Sequence, residues 1–141
     1  IVALAGAEPA TQLLRIQNDL FDLGADIATP GQDFVPSEMV LRIVPSQVEW
    51  LEAAIDELNE TLAPLTSFIL PGGSEQAATL HVARAVSRRA ERSLVALSAV
   101  GPVNPQALAY LNRLSDFLFV AARWVNERGA MDILWVPGAS R

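Results

Sequence analysis

Apolar side chains recur every three or four residues along most of the chain, the repeat of a helix that buries one face. Over residues 11–28 the repeat runs through Leu13, Ile16, Gln17, Leu20, Phe21 and Gly24. Asp19, Asp22 and Asp26 fall on another face, with Arg15 one turn before Asp19. That acidic stripe is expected to be solvated and to carry one i,i+4 ion pair. Residues 29–45 contain Pro30, Gly31, Pro36 and Pro45 and read as a connection. Ser46 and Glu49 have the spacing of a capping box. Behind them Val48, Leu51, Ile55, Leu58 and Leu62 form a stripe suited to a bundle seam.

Pro71, Gly72 and Gly73 then break the pattern, and Ser74 can cap a helix that runs to about Leu97. Asn104 and Pro105 suit the cap and first position of a last helix, with Val103 free to staple against Leu108. This helix is expected to reach Arg128 and stop at Gly129. No stretch alternates for a useful length, so no strand is expected. The pattern is all-α: an up-down bundle of four long helices, or five, since Ile1-Val2-Ala3-Leu4-Ala5 reads like the end of a further helix.

Composition narrows the chemistry. The 141 residues (15.2 kDa) suit one domain, taken as 1–141. A chain that is 51% hydrophobic and 18% charged is globular rather than disordered. There is no cysteine and one histidine, His81, which excludes thiol nucleophiles, thiolate metal sites and centres needing two histidines. No apolar run reaches the ~18 residues that span a bilayer, and no basic-then-apolar signal peptide opens the chain. Both readings point to the cytoplasm.

The net charge of −6 argues against a general nucleic-acid binder. It is unevenly spread. Residues 1–80 hold twelve acids and two arginines, whereas residues 81–141 hold eight arginines and four acids. All ten basic residues are arginine, so a Walker-type lysine loop is excluded and any anion is held by guanidinium forks.

Four of those arginines, Arg84, Arg88, Arg89 and Arg92, lie within nine residues. At ~100° per residue, Arg84, Arg88, Glu91, Arg92 and Val95 share a helix face with His81 at its edge, and Arg89 points elsewhere. Stacked arginines repel one another, so something negative should face them. A solvated face or an intersubunit ion-pair network meets that need, and so does a clamp for triphosphate or carboxylate oxygens. On the last helix, Asn112, Ser115, Asp116, Phe119 and Arg123 make a second polar stripe. Asn112 and Asp116 would interrupt an apolar seam between Leu108 and Phe119, which costs stability unless they are paired. Their expected partner is an arginine on a neighbouring helix, or a ligand. His81 has no partner constellation and reads as structural. The aromatic residues read mostly as core, with Phe68, just before the Pro-Gly-Gly turn, the exception.

The run SFILPGGSEQAATLHVARAVSRRAER, followed by VNPQALAYLNRLSDFLFVAARWVN and the tail DILWVPG, resembles the PduO-type ATP:cob(I)alamin adenosyltransferases. The opening LLRIQNDLFDLGADIATP is similar to the same family's second helix, so the resemblance covers nearly the whole chain. It implies a ferritin-like helical bundle, assembled as a homotrimer with active sites between subunits. It implies transfer of the 5′-deoxyadenosyl group of ATP to the cobalt of cob(I)alamin, with magnesium accompanying ATP and triphosphate released. A cob(II)alamin reductase and a B12-dependent mutase or dehydratase are the implied partners.

Carried over by position, Arg88 and Arg92 would stabilise triphosphate charge, and Glu91 would orient the arginines or reach the nucleotide or its metal. Arg84 would bridge subunits and shape the corrin side. Asn112 would hydrogen-bond the nucleoside with Asp116 in support. Phe68 would press on the lower face of the corrin, with Phe119 near it. No protein metal ligand is implied. Family members also open with a glycine-rich TGDxGxTxL stretch and a helix bearing an Asp-Glu pair, neither of which lies in these residues. An N-terminal segment is therefore expected to precede Ile1 and to supply the aspartate that faces Arg84. The alternative is a carrier or sensor trimer that binds ATP or corrinoid without turnover.

Overall fold

The computed structural model describes residues 9–141. The expected helix end at Ile1–Ala5 lies outside them. Four helices follow in order, α1 (Ala10–Ala28), α2 (Pro45–Asn59), α3 (Glu75–Ser98) and α4 (Pro105–Val125). They alternate in direction. The end of α1 meets the start of α4 where Asn104 Nδ2 donates to Asp26 Oδ2 (2.6 Å), and the start of α2 joins them where the Ile43 N–H donates to the same carboxylate oxygen (2.8 Å). At the other end, the residue after α4, Asn126, bonds the residue before α3, Ser74.

α4 is the axis of the molecule, packed along α3 on one side and α2 on the other. Its buried residues come from nearly all round the helix and include Ala107, Tyr110, Leu111, Leu114, Phe117, Leu118 and Ala121. From α2, Val48, Leu51, Ala54 and Leu58 complete the core, and from α3, Ala77, Leu80, Ser87 and Leu94. Ile55 and Leu62, the other members of the α2 stripe, pack at its edge.

The caps of α3 and α4 match the sequence reading. Ser74 Oγ accepts from the Ala77 N–H (3.1 Å), and Asn104 Oδ1 from the Gln106 N–H (3.0 Å). The start of α2 does not. Pro45 occupies its first turn, and Gln47, not Glu49, reaches back, its Oε1 accepting from the Val44 N–H (3.0 Å). Proline has already set the φ that a helix start needs, so the helix begins one residue before Ser46 and that hydroxyl is not its cap.

α1 is rotated from the expected face. Leu13, Ile16 and Leu23 are buried, but Phe21 is 84% exposed, and two members of the acidic stripe, Asp19 and Asp26, are buried. Asp26 accepts from Arg42 Nη1 (2.9 Å) besides Asn104 and Ile43. Asp19 accepts from Tyr110 Oη (3.0 Å) and Gln47 Nε2 (3.0 Å), and Arg15 stands 3.9 Å away in the expected i,i+4 pair. Burial first, and then the Asp19 carboxylate, push the Tyr110 phenol far above its usual range, so it remains a donor. Three elements donate to these carboxylates, which is why a stripe of acids can face inward.

Two short strands, β1 (Ile69–Leu70) and β2 (Ile133–Leu134), pair antiparallel with Ile69 opposite Leu134. No strand was expected there, because two residues are too few to show an alternation. α4 also ends three residues before Arg128. Glu127, Arg128 and Gly129 all take positive φ (51°, 52° and 91°), turning the chain back toward β2.

Candidate active site

α3 and α4 run antiparallel and bring their polar stripes together. Arg88 pairs with Glu91 one turn on. The other Glu91 oxygen accepts from Asn112 Nδ2 of α4 (2.8 Å), and Asn112 Oδ1 accepts from Arg113. The Glu91 side chain is 13% exposed, while that of Arg88 is about half exposed. One carboxylate therefore holds an arginine fork at the surface and ties it to the neighbouring helix. The amide of Asn112 keeps its second N–H for another acceptor.

Asp116 departs from its expected place. It is exposed and pairs with Arg113 of its own helix (3.2 Å), not with an arginine across the seam. The seam residue is instead Ser115, fully buried beside Leu114 and Phe117. Asp116 is thus one step off the buried face, and it joins the network only through Arg113.

Toward the start of α3, Arg84 lies over the Phe119 ring (5.2 Å to its centroid), and His81 meets the same ring edge-on at 6.4 Å. Arg84 Nε and His81 Nε2 are buried with no hydrogen-bond partner among the described residues. Burial, and then the Arg84 charge, hold His81 below its usual pKa against an opposing pull from Asp132. His81 is therefore a neutral imidazole near pH 7. Arg92 and Arg89 are exposed, with no ion-pair partner among the described residues. Four arginines stand here against the single carboxylate of Glu91, a strongly positive surface.

Phe68 is 78% exposed on the segment that leads into β1, its ring edge-to-face with Trp135 at 5.9 Å. The Trp135 N–H donates to the Phe68 carbonyl (2.8 Å), and Ser67 Oγ to the Trp135 carbonyl (2.9 Å). Leu70, Ile133, Leu134 and Val136 are also exposed, so an apolar apron surrounds the ring. Phe68 and Phe119 do not stack; each has its own partner.

Sequence reasoning missed the residues that hold this apron. Asn126 is fully buried. Its Oδ1 accepts from the Ser74 N–H (2.9 Å), and its Nδ2 donates to the Gly72 carbonyl (3.1 Å) and to Asp132 Oδ1 (3.2 Å). Asp132 Oδ2 accepts from Arg123 Nε (3.0 Å), and Arg123 Nη2 donates to the Ala63 carbonyl (2.9 Å). Gly73 has φ +97°, and a Cβ there would lie 2.4 Å from the Asn126 amide atoms, so only glycine fits. The Pro-Gly-Gly signal was in the sequence, but not what the backbone approaches. A cleft of about 260 Å³ at the opposite end, lined by Asp26, Phe34, Leu94, Leu97 and Asn104, holds none of the site residues.

An arginine-rich face of α3 is thus latched to an asparagine of α4, and an exposed aromatic ring stands on the segment that leads toward α3. Residues 2–125 match the family model described as cobalamin adenosyltransferase. The chain is 49% identical over 145 residues to a corrinoid adenosyltransferase of Mycobacterium tuberculosis, covering 99% of this chain and 74% of that protein. It is 43% identical over 122 residues to the corrinoid adenosyltransferase of Bacillus subtilis, covering 85% of this chain and 60% of that protein. A phenylalanine-to-alanine variant of the PduO-type ATP:corrinoid adenosyltransferase of Lactobacillus reuteri, complexed with cobalamin and ATP, superposes with a TM-score of 0.77 at 40% identity, covering 89% of this chain and 69% of that chain. The chain belongs to the cobalamin adenosyltransferase family, and it is an enzyme of that family.

Proposed function

We propose that the protein transfers the 5′-deoxyadenosyl group of ATP to the cobalt of cob(I)alamin and releases triphosphate. The observation that carries the site assignment is the Arg88–Glu91–Asn112 linkage, which joins an arginine fork and a nucleoside-facing amide into one rigid unit. Cobalt(I) is itself the nucleophile, so no protein base is required. The cobalt–carbon bond forms as the bond from C5′ to the triphosphate oxygen breaks. Charge grows on that leaving oxygen. Arg88 and Arg92 stabilise it, and Glu91 keeps the Arg88 fork aimed. Asn112 hydrogen-bonds the nucleoside, and Asp116 supports it indirectly by holding Arg113. Binding at a fixed face supplies the in-line approach.

Phe68, with Phe119 deeper in the site, contacts the corrin. A phenyl ring against the lower face keeps water and the lower axial ligand from cobalt(II), which destabilises the oxidised state and eases reduction to cobalt(I). The exposed apolar apron around Phe68 supports this role.

The proposal extends to a ferritin-like bundle acting as a homotrimer, with sites between subunits and residues 1–141 as one adenosyltransferase domain. The unpartnered buried Nε of Arg84 supports an intersubunit contact there. Magnesium enters with ATP, held by the phosphates and at most one or two carboxylates; Glu91, with its side chain 13% exposed, is the carboxylate at hand. The setting is cytoplasmic, and among the described residues no helix is long and apolar enough to cross a membrane. A reductase for cob(II)alamin and a B12-dependent mutase or dehydratase are the expected partners.

The test is an oxygen-free mixture of the protein with ATP, magnesium and chemically reduced cob(I)alamin. Adenosylcobalamin and triphosphate in equal amounts are expected. A bound corrinoid with an unchanged spectrum and no triphosphate would overturn the reading in favour of a carrier.

A further inference from the structure

We infer that Asn126 and Asp132 are positioning residues for the Phe68 segment, a clamp that sets how far the ring projects toward its ligand. The inference rests on the reading of Phe68 given above. A pair of two-residue strands does not hold itself together in water, so something else must fix Phe68. The structure shows what does. Segment 63–74 is tied to the foot of α4 at both ends, at Ala63 by Arg123 and at Gly72 and Ser74 by Asn126.

The middle of the segment hangs on β2 and on the Trp135 N–H bond to Phe68. Asp132 links the two anchors by accepting from Arg123 with one oxygen and from Asn126 with the other. It also immediately precedes β2 and so sets where the partner strand starts. The three clamp side chains, Asn126, Arg123 and Asp132, are each less than a tenth exposed, whereas Phe68 is 78% exposed. The segment that these side chains hold is the one that carries Phe68, and the expected effect on the reaction is through that ring. The backbone adopts left-handed geometry at two non-glycine residues, Glu127 and Arg128, to form it. A turn of that kind is kept where its shape matters.

The experiment compares adenosylation by the whole protein along two routes, from cob(II)alamin with a one-electron chemical reductant and from cob(I)alamin reduced beforehand. Wild type, Asn126→Ala, Phe68→Ala and the double variant are assayed, and amide exchange is followed over 63–74 and 131–136. Asn126→Ala is expected to slow the cob(II) route about tenfold or more and the cob(I) route much less. The double variant should be no worse than Phe68→Ala, because both changes remove one effect. Exchange over both segments should rise about tenfold while α1 and α2 stay protected.

Equal losses on both routes in Asn126→Ala, when Phe68→Ala splits them, would overturn the inference. Losses that multiply in the double variant, or unchanged exchange, would overturn it too. If Phe68→Ala itself loses both routes equally while exchange rises in Asn126→Ala, the clamp stands and the assigned role of Phe68 fails. If Asn126→Ala does not fold, Asp132→Asn, which keeps the shape and removes the charge, is read by the same outcomes.

Discussion

The Asp26 carboxylate shows how much one side chain can hold. It and Arg42 are both almost fully buried, and Asp26 also receives Asn104 and the Ile43 amide. Asp26→Ala would leave a guanidinium inside without its counter-charge, a loss of about 3–5 kcal/mol. A fall in the urea midpoint checks it, and an unchanged midpoint would mean that water reaches Arg42. At the site, Arg88→Ala is expected to lower turnover about 10²–10³-fold with melting temperature and oligomeric state preserved, since the Arg88 side chain is half exposed. Dissociation of the oligomer with normal ATP affinity would assign Arg88 to the interface instead.

His81 makes a pH prediction. Its pKa is lowered in the fold by burial and by Arg84, so the folded state disfavours the proton that the unfolded chain binds below about 6.5. Stability is therefore complete above that pH and declines as pH falls through it. His81→Gln should flatten the melting-temperature profile between about pH 5 and 7. A profile as steep as wild type would move the effect to another group. The sequence offered no partner for the single histidine, and its setting against Phe119 emerges only with α3 and α4 packed together.

Among the elements, α2 was legible from its apolar stripe, and α3 and α4 from the residues that cap their starts. The turn after α4 was not. The helix was expected to stop at Gly129, but it gives way earlier, at Asn126, whose side chain is recruited by Gly72 and Ser74 from 52 or more residues away. Glu127 is exposed at φ 51°. Glu127→Gly is expected to stabilise the protein by about 0.5–1 kcal/mol, since a left-handed L-residue costs more than glycine's extra freedom. Gly73→Ala should do the reverse, losing about 1–3 kcal/mol through both its φ and the clash with Asn126. Differential scanning of the two variants in opposite directions checks both.

On the scale of the whole molecule, charge is sorted by structure as well as by sequence. The acid-rich first half turns two of its carboxylates inward, onto Arg42, Asn104, Tyr110 and Gln47. The arginine-rich half exposes Arg88, Arg89 and Arg92 on α3 and keeps Arg123 buried against Asp132. An anion held by that surface stabilises the folded state, so ATP with magnesium at about 100 times its dissociation constant should add ~2.7 kcal/mol. Arg88→Ala should reduce that gain. No shift in the wild-type melting curve would leave the arginines as interface ion pairs.

Most features that depend on neighbours a few residues apart can be read from the chain alone, although the start of α2 and the end of α4 could not. The helical repeat, the Ser74 and Asn104 caps, the arginine stripe of α3 and the motifs of the family are all read in this way. Features that depend on distant partners emerge only in the folded chain. The buried face of α1 was set by donors from three other segments, and a stripe of aspartates looks solvated until those donors are known. Asp116 fell off the seam because α4 is buried nearly all round, so its polar residues sit wherever α2 and α3 leave room. The Phe68 segment has two paired residues and no repeat to read. Its shape comes from Asn126 and Asp132, whose hydrogen bonds form only when the foot of α4 closes on the turn before α3.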